Sequence, residues 1–109
     1  MAYDLIISER ADELTDRLVA FLLNHLNNPG AAAHFLDELD AIYDRLINNP
    51  YQFPDSPDEY LFLRGYREAL FKTMQYKVIY RIEDQQVLIV GVFHTLEDYR
   101  RKVSVGKGS

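Results

Sequence analysis

Hydrophobic residues recur at helical spacing through most of the first half of the chain. A period of about 3.6 residues keeps apolar side chains on one face, so the repeat predicts two amphipathic helices. The first follows Ser8, a hydroxyl N-cap, and extends to about Asn27; the second begins at Asn28-Pro29 and stops before Asn49-Pro50. So short a joint predicts an antiparallel hairpin. The two apolar stripes are Leu14, Leu18, Phe21, Leu22 and Leu26, and Phe35, Leu36, Leu39, Ile42, Tyr43, Leu46 and Ile47.

The other apolar segments are shorter and alternate with polar residues, which predicts strands. One spans residues 3–7, and three follow a proline-containing loop at 51–59; these three strands are placed at 66–72, 76–83 and 87–94. The segment Thr95-Leu96-Glu97-Asp98 is similar to a capping box and predicts a short helix over residues 96–102. The fold class is therefore α+β. It has an N-terminal strand, a helical hairpin on one face of a mainly antiparallel sheet of about four strands, and a short C-terminal helix.

A turn centred on Asp84-Gln85 would join the last two strands as a hairpin and set their register. The predicted pairs are Arg81 with Leu88, Ile79 with Val90, Lys77 with Val92 and Gln75 with His94. In this register His94 lies on the same face as Lys77, as a diagonal neighbour. A turn with an odd number of residues would reverse the parity and move His94 to the helix side.

This register divides the side chains of the hairpin between two faces. The nearly apolar face, predicted to carry the helical hairpin, holds Tyr76, Val78, Tyr80, Ile82, Val87, Ile89, Gly91 and Phe93. The opposite face mixes apolar and cationic side chains: Lys77, Ile79, Arg81, Leu88, Val90, Val92 and His94. Apolar surface of this extent is unfavourable in water, so we expect either the C-terminal segment or a partner to cover the second face.

Length and composition narrow the classes of protein. The 109 residues suit one domain, predicted over residues 1–103, followed by a flexible tail at 104–109. Without cysteine, disulfides, thiolate metal sites and cysteine nucleophiles are excluded. No apolar run is long enough to cross a bilayer, and the first residues lack the pattern of a signal peptide, so we expect a cytoplasmic protein without a membrane partner.

Charge is distributed unevenly along the chain. Residues 1–60 carry 12 acidic and 3 basic side chains, whereas residues 61–109 carry 5 acidic and 9 basic ones. The formal net charge of −5 therefore hides a cationic second half. Two interpretations stay open: one surface meets an anionic partner, or the helix surfaces are simply acidic.

The order of elements and four local motifs together resemble the RelE/ParE toxins of bacterial type II toxin–antitoxin systems. The resemblance covers residues 3–103. Its motifs are Gly65-Tyr66-Arg67, Tyr76-Lys77-Val78-Ile79-Tyr80-Arg81-Ile82, Val90-Gly91-Val92-Phe93-His94 and Asp98-Tyr99-Arg100-Arg101. Such a resemblance implies a toxin that arrests growth and is neutralised by a cognate antitoxin, usually encoded beside it, in a hetero-oligomer.

The family also implies two different cellular targets. RelE- and YoeB-like members cut mRNA on the ribosome, whereas ParE-like members inhibit DNA gyrase and are not enzymes. For an endoribonuclease, the resemblance implies His94 as general acid or base and Lys77 as phosphate clamp, because both sit where YoeB-like members carry a histidine and an arginine. The residues expected to bind the target or the antitoxin are Arg67, Ile79, Arg81, Val92, Tyr99, Arg100, Arg101 and Lys102.

Two departures favour gyrase inhibition over RNA cleavage. Lys77 offers a point charge where the RNA-cleaving members have the two-pronged guanidinium of arginine. The basic cluster that RelE carries after its last strand is replaced here by Leu96-Glu97-Asp98. A third hypothesis is a non-toxic interaction module or a decayed toxin.

Other candidate chemistry is weak. His25 and His34 lie in the helical hairpin without a carboxylate–histidine pattern, so we expect no metal site and no cofactor. Arg100-Arg101-Lys102 has two interpretations, a solvated helix end or part of a target-binding surface.

Overall fold

The computed structural model describes residues 2–96, which form an α+β fold with the predicted order of elements. In chain order these are β1 (Asp4–Ile7), α1 (Glu9–Ala20), a π-helical turn (Phe21–His25), α2 (Pro29–Asn48), a 3₁₀ turn (Pro50–Gln52), α3 (Glu59–Phe62), β2 (Tyr66–Leu70), β3 (Tyr76–Glu83) and β4 (Gln86–His94). Except for Leu96, the predicted C-terminal helix lies outside the described residues, as does the tail at 104–109.

Short polar side chains start both long helices, as the sequence predicts. Ser8 and Asn28 each accept a hydrogen bond at 3.0 Å from the amide three residues ahead, and so satisfy amides that have no partner within the helix. The regular part of the first helix is shorter than predicted, because α1 ends at Ala20 and continues as the π-helical turn. Asn27 then reverses the chain in the left-handed region, with φ of 48°, before α2 begins.

The four strands form one mixed sheet in the order β1-β4-β3-β2. Strand β1 runs parallel to β4, while β4 with β3 and β3 with β2 are antiparallel. The mainly antiparallel sheet of four strands is therefore confirmed. The first strand, β1, pairs with the last strand, β4, and forms one edge of the sheet. The helical hairpin therefore connects this edge to the segment that leads into β2, the strand at the opposite edge.

A β-bulge interrupts the pairing of β3 with β4. Tyr80 pairs with Ile89, whereas Ile79, the residue before Tyr80 in β3, pairs with Gly91. Val90, between Ile89 and Gly91, is therefore an extra residue on β4. A bulge of this kind leaves one residue unpaired. The side chains that follow it lie on the opposite face from the one that simple alternation predicts. The face of every residue of β4 after Val90 therefore differs from the sequence prediction.

The predicted register is correct before the bulge and wrong after it. Arg81 lies opposite Leu88 as predicted. Lys77 lies opposite Phe93 rather than Val92, and His94 lies opposite Tyr76 rather than Gln75. The turn has the predicted parity, so the inserted residue in β4, and not an odd turn, moves His94 to the other face.

One side of the sheet carries α2 and is called the α2 face. Its core joins α2 to the sheet and consists of Phe35, Leu39, Ile42 and Leu46 from the helix with Tyr76, Val78, Tyr80, Val87, Ile89 and Val92 from the strands. All of these residues are buried, and the apolar surface that they bury together provides most of the hydrophobic stabilisation of the fold. The amphipathic stripe of the second helix is thus confirmed except at Leu36, which is exposed. The placement of Val92 outside this core is wrong.

The opposite side of the sheet, the Lys77 face, is covered in part. It holds Lys77, Ile79, Arg81, Leu88, Gly91 and Phe93. Ile79 and Phe93 form a second buried cluster with Leu61 of α3, and Leu14 of α1 packs against it. A Cβ on Gly91 would lie 2.7 Å from Leu14 Cδ1, so the glycine permits this close approach. The prediction of an exposed apolar surface is wrong at Ile79, because Leu61 of α3 covers it.

Candidate functional site

Lys77 forms a buried ion pair with Glu68 of the neighbouring strand. Its Nζ lies 3.0 Å from Glu68 Oε1, and the two side chains are only 6% and 5% exposed. Ser56 Oγ donates a hydrogen bond of 2.6 Å to the other carboxylate oxygen of Glu68. A buried charge is costly unless a partner and hydrogen bonds satisfy it, and each member of this group supplies part of that satisfaction.

The same group attaches the proline-containing loop to the edge strand β2. The Ser56 amide donates to the Tyr66 carbonyl at 3.0 Å, and the Glu68 amide donates to the Pro54 carbonyl at 3.3 Å. Arg67 reinforces the joint through a 2.6 Å hydrogen bond from its guanidinium to the Phe53 carbonyl. The loop thereby covers backbone groups that an edge strand otherwise leaves without partners.

His94 lies at the end of β4 on the α2 face. Its ring stands edge-on to the ring of Tyr76, with centroids 5.5 Å apart. Its Nδ1 accepts a hydrogen bond of 3.1 Å from the Leu96 amide, which places the proton of the neutral imidazole on Nε2. Tyr76 in turn packs edge-on against Phe35 of α2, at 5.1 Å between centroids.

The structure does not bring Lys77 and His94 together. Lys77 pairs with Phe93, so its side chain leaves the sheet on the face opposite to the one that His94 shares with Tyr76. The predicted diagonal contact between them is wrong, and the bulge at Val90 is the physical reason. A phosphate held by Lys77 would also have to compete with Glu68 for the ammonium group.

The residues predicted to bind a target or an antitoxin fall into three groups. Ile79 and Val92 are fully buried, so their contacts are with the core. Arg67 and Arg81 are partly exposed; the first lies 3.6 Å from Asp55, and the second pairs with Glu83. Tyr99, Arg100, Arg101 and Lys102 lie outside the described residues.

A cavity that the sequence did not reveal lies on the Lys77 face beside the bulge. Its volume is about 330 Å³, and it is lined by Ser8, Arg10, Tyr66, Arg81, Leu88, Ile89 and Val90. Arg10 stands in the acidic half of the chain, so the charge pattern of the sequence does not single it out. The predicted register already places Leu88 and Val90 on one face with Arg81, but no sequence pattern indicates that α1 brings Arg10 to that face.

A second polar group joins α2 to the turn between β2 and β3. Glu38 accepts hydrogen bonds from the Thr73 hydroxyl at 2.6 Å and from the Lys72 amide at 2.6 Å, and His34 Nε2 lies 3.0 Å from its carboxylate. Burial acts to raise the pKa of Glu38, but these hydrogen bonds and the nearby histidine together outweigh burial and lower it. These side chains hold the turn against α2, since the same imidazole nitrogen of His34 faces both Thr73 and Glu38.

Among residues 2–96, no three histidine, aspartate or glutamate side chains converge as metal ligands would. His25 stacks on Phe21, with 5.3 Å between ring centroids. In the same part of the chain, no helix is long and apolar enough to cross a membrane.

One comparison with known proteins identifies a family. The family model described as "ParE toxin of type II toxin-antitoxin system, parDE" matches residues 5–99. A search of curated proteins found no significant relative of this chain.

Solved structures show the same fold at low sequence identity. The chromosomal ParDE system from P. aeruginosa has a TM-score of 0.70 at 15% identity, covering 85% of this chain and 96% of that one. A mutant of the E. coli toxin RelE in the free state has a TM-score of 0.66 at 15% identity and covers 98% of both chains. The toxin–antitoxin complex RelBE2 from Mycobacterium tuberculosis has a TM-score of 0.56 at 18% identity, covering 86% and 99%.

Proposed function

The chain belongs to the ParE family of toxins of type II toxin–antitoxin systems, and from this premise we propose that it arrests growth by binding DNA gyrase. We further propose that a cognate antitoxin, the product of a neighbouring gene, neutralises it by forming a hetero-oligomer in the cytoplasm. Both proposals extend what the ParE-like members do.

The buried pair of Lys77 with Glu68 is the observation that carries the preference for gyrase. RNA cleavage needs a base or acid close to the 2′-hydroxyl and a cation aimed at the phosphate, both in one site. Lys77 is directed at Glu68 on one face of the sheet, and His94 faces Tyr76 on the other. These positions support inhibition by binding rather than catalysis by this pair.

A ribosome-dependent endoribonuclease is the alternative, and one observation favours it. The free RelE toxin shares the fold across 98% of this chain. In that case His94 would act with cations other than Lys77, such as Arg67 or the basic run Arg100-Arg101-Lys102. A non-toxic or decayed copy is the third possibility, and it predicts no growth arrest at all.

Two purified assays separate the proposed targets. Plasmid supercoiling by gyrase and ATP is measured with increasing amounts of the purified chain, and protein synthesis is measured in a cell-free extract at the same concentrations. The proposal predicts that supercoiling is inhibited while translation and its mRNA stay intact. Cleaved mRNA with unaffected gyrase contradicts the proposal and favours the alternative. Activity in neither assay favours the decayed copy.

Antitoxin binding is tested separately by co-expression with the product of the adjacent gene. The proposal predicts that the two chains co-purify and that the complex no longer inhibits supercoiling. An adjacent product that neither binds nor restores gyrase activity contradicts the second proposal without affecting the first.

A further inference from the structure

The cavity beside the bulge combines apolar walls with two arginines. Leu88 and Val90 of β4 form its apolar lining, while Arg10 comes from α1 and Arg81 from β3. A volume of about 330 Å³ is at the lower end of what small-molecule and anchor-residue pockets enclose. The cavity therefore has room for one large apolar side chain and a neighbouring polar group.

Arg81 is held so that its guanidinium remains partly available. Its Nε is buried and has no hydrogen-bond partner among residues 2–96, its Nη2 pairs with Glu83, and the guanidinium lies 5.7 Å from the centre of the Tyr66 ring. The pair with Glu83 is exposed and between residues of one strand, so it is weak enough for a second carboxylate to compete. The planar guanidinium can accept such a carboxylate through two parallel hydrogen bonds.

We propose that this cavity receives a segment of the antitoxin that carries one carboxylate among apolar residues, with an apolar side chain inside the cavity and the adjacent carboxylate on Arg81 and Arg10. The inference rests on the antitoxin binding proposed above and names the site at which it occurs. Anchors of this type, an apolar group in a pocket next to a paired charge, carry a large share of the energy of an interface.

Charge near the cavity favours a protein segment over a nucleic acid. A nucleic acid strand carries a phosphate at every nucleotide. Arg10 belongs to an acidic stretch of the chain, since Glu9 and Asp12 lie in the first turn of α1 and Glu13 follows them. Glu83 lies next to Arg81 in the same way. A single carboxylate flanked by apolar residues fits two cations among these acids, whereas a continuous line of phosphates is repelled.

The test uses the purified complex of this chain with the adjacent gene product. Its dissociation constant is measured by isothermal titration for wild type and for Arg81→Glu, which reverses the charge at the cavity. We expect affinity to fall about 10- to 100-fold, since the variant repels the carboxylate it should pair with. Arg64→Glu is the matched control, because this substitution makes the same charge change outside the cavity. The guanidinium of Arg64 lies over the Tyr60 ring.

A second variant tests the apolar half of the site. Leu88→Trp should fill the cavity and weaken the complex at least about tenfold, while Leu63→Trp, at an exposed position outside the cavity, should leave affinity unchanged. Thermal unfolding of each free variant shows whether it is folded.

The outcomes separate this inference from the function on which it rests. No complex between the wild-type chains rejects antitoxin binding itself. A wild-type complex that Arg81→Glu and Leu88→Trp leave intact, with both variants folded, rejects the cavity alone. If Arg81→Glu instead abolishes binding of a labelled duplex DNA or RNA and spares the complex, the cavity recognises nucleic acid and the inference is wrong.

Discussion

The two faces of the sheet are built by different means. The α2 face is closed by one long amphipathic helix whose buried residues recur at regular spacing, and its core is entirely apolar apart from tyrosine hydroxyls. The Lys77 face is closed by a four-residue helix, one leucine of α1 and a buried ion pair. Regular periodicity therefore describes the first face well, whereas the second depends on irregular features, namely a bulge, a loop and a charge pair.

The difference bears directly on function. The regular face uses its residues for stability, and even the Tyr80 hydroxyl is satisfied internally by the Pro50 carbonyl at 2.5 Å. Burial raises the pKa of Tyr80, so its hydroxyl stays protonated at physiological pH and serves as a donor. The irregular face contains the cavity and the two arginines around it. Bulges frequently lie next to functional sites, and Val90 both forms the bulge and lines the cavity.

The largest expected effect is the loss of one partner of the buried ion pair. Lys77→Met leaves the Glu68 carboxylate buried without its cation, so we expect a loss of about 3–5 kcal/mol in the free energy of unfolding measured in urea. Lys72→Met, at an exposed position, is the control and should change stability by less than about 0.5 kcal/mol. The double variant Lys77→Met with Glu68→Leu should recover much of the loss; equal losses in single and double variants would argue against the pair.

The next effect tests the cover of the Lys77 face. Leu61 is the fully buried residue that α3 contributes to the second cluster, so Leu61→Ala should cost about 2–4 kcal/mol through lost burial and the cavity it leaves. Leu63, the residue after α3, is 69% exposed, and Leu63→Ala should be nearly neutral. Similar small losses for both would show that α3 does not close this face.

Deletion of Val90 distinguishes the bulge from regular pairing. Without the extra residue, Ile89 and Gly91 become consecutive and every observed pair of β3 with β4 is kept. We expect the deletion to cost only about 1–2 kcal/mol, for the contacts of Val90. Deletion of Val92 is the control. If the bulge is kept, Phe93 and His94 move to the wrong faces; if it is lost, Val90 takes the place of Gly91 against Leu14 and Gly91 replaces Val92 in the core, so the loss of stability should be much larger in either case. If strand pairing were regular, both deletions would be equally disruptive in circular dichroism and thermal unfolding.

The smallest effect concerns the hydrogen bonds by which Glu38 of α2 holds the turn between β2 and β3. The pKa of Glu38 is lowered in the folded state, so its contribution to stability is present above the ordinary value and is lost as the pH falls through the lowered one. Glu38→Gln should cost about 1 kcal/mol near neutral pH and progressively less towards pH 3. Melting temperatures of both proteins between pH 7 and 3 should therefore converge. A constant difference across this range would contradict the proposed role of the carboxylate. The exposed Asp37→Asn provides the control.

The sequence predicts most of the fold because most of it is periodic. The stripe of the second helix apart from Leu36, the caps at Ser8 and Asn28 and the strand order of the hairpin all depend on neighbouring residues, and the structure confirms them. The stripe of the first helix is confirmed only in part, because Phe21 and Leu26 are exposed. The bulge was not predictable in this way. Val90 stands in an unbroken apolar run, and nothing in Leu88-Ile89-Val90-Gly91-Val92 distinguishes an inserted residue from a paired one, although Gly91 is a residue that commonly accompanies irregular strands.

The candidate site was predicted less well for the same reason. An error of one residue in β4 moves His94 across the sheet, away from Lys77. The partner of Lys77 is Glu68, which is nine residues distant in sequence and belongs to another strand. No local sequence pattern therefore predicts the ion pair. Arg10 approaches the cavity from a helix that the sequence marks as acidic. Non-local contacts decide the chemistry here, and single-sequence patterns do not encode them.

The central claim is that growth arrest does not depend on catalysis by His94. The most direct measurement is growth after tightly controlled expression of wild type, His94→Ala and the control His25→Ala, with DNA synthesis and the integrity of ribosome-bound mRNA followed in the same cultures. The account predicts that all three proteins stop growth, block DNA synthesis and leave mRNA intact. Cleaved mRNA in the wild-type culture, with both cleavage and growth arrest abolished by His94→Ala alone, would contradict it.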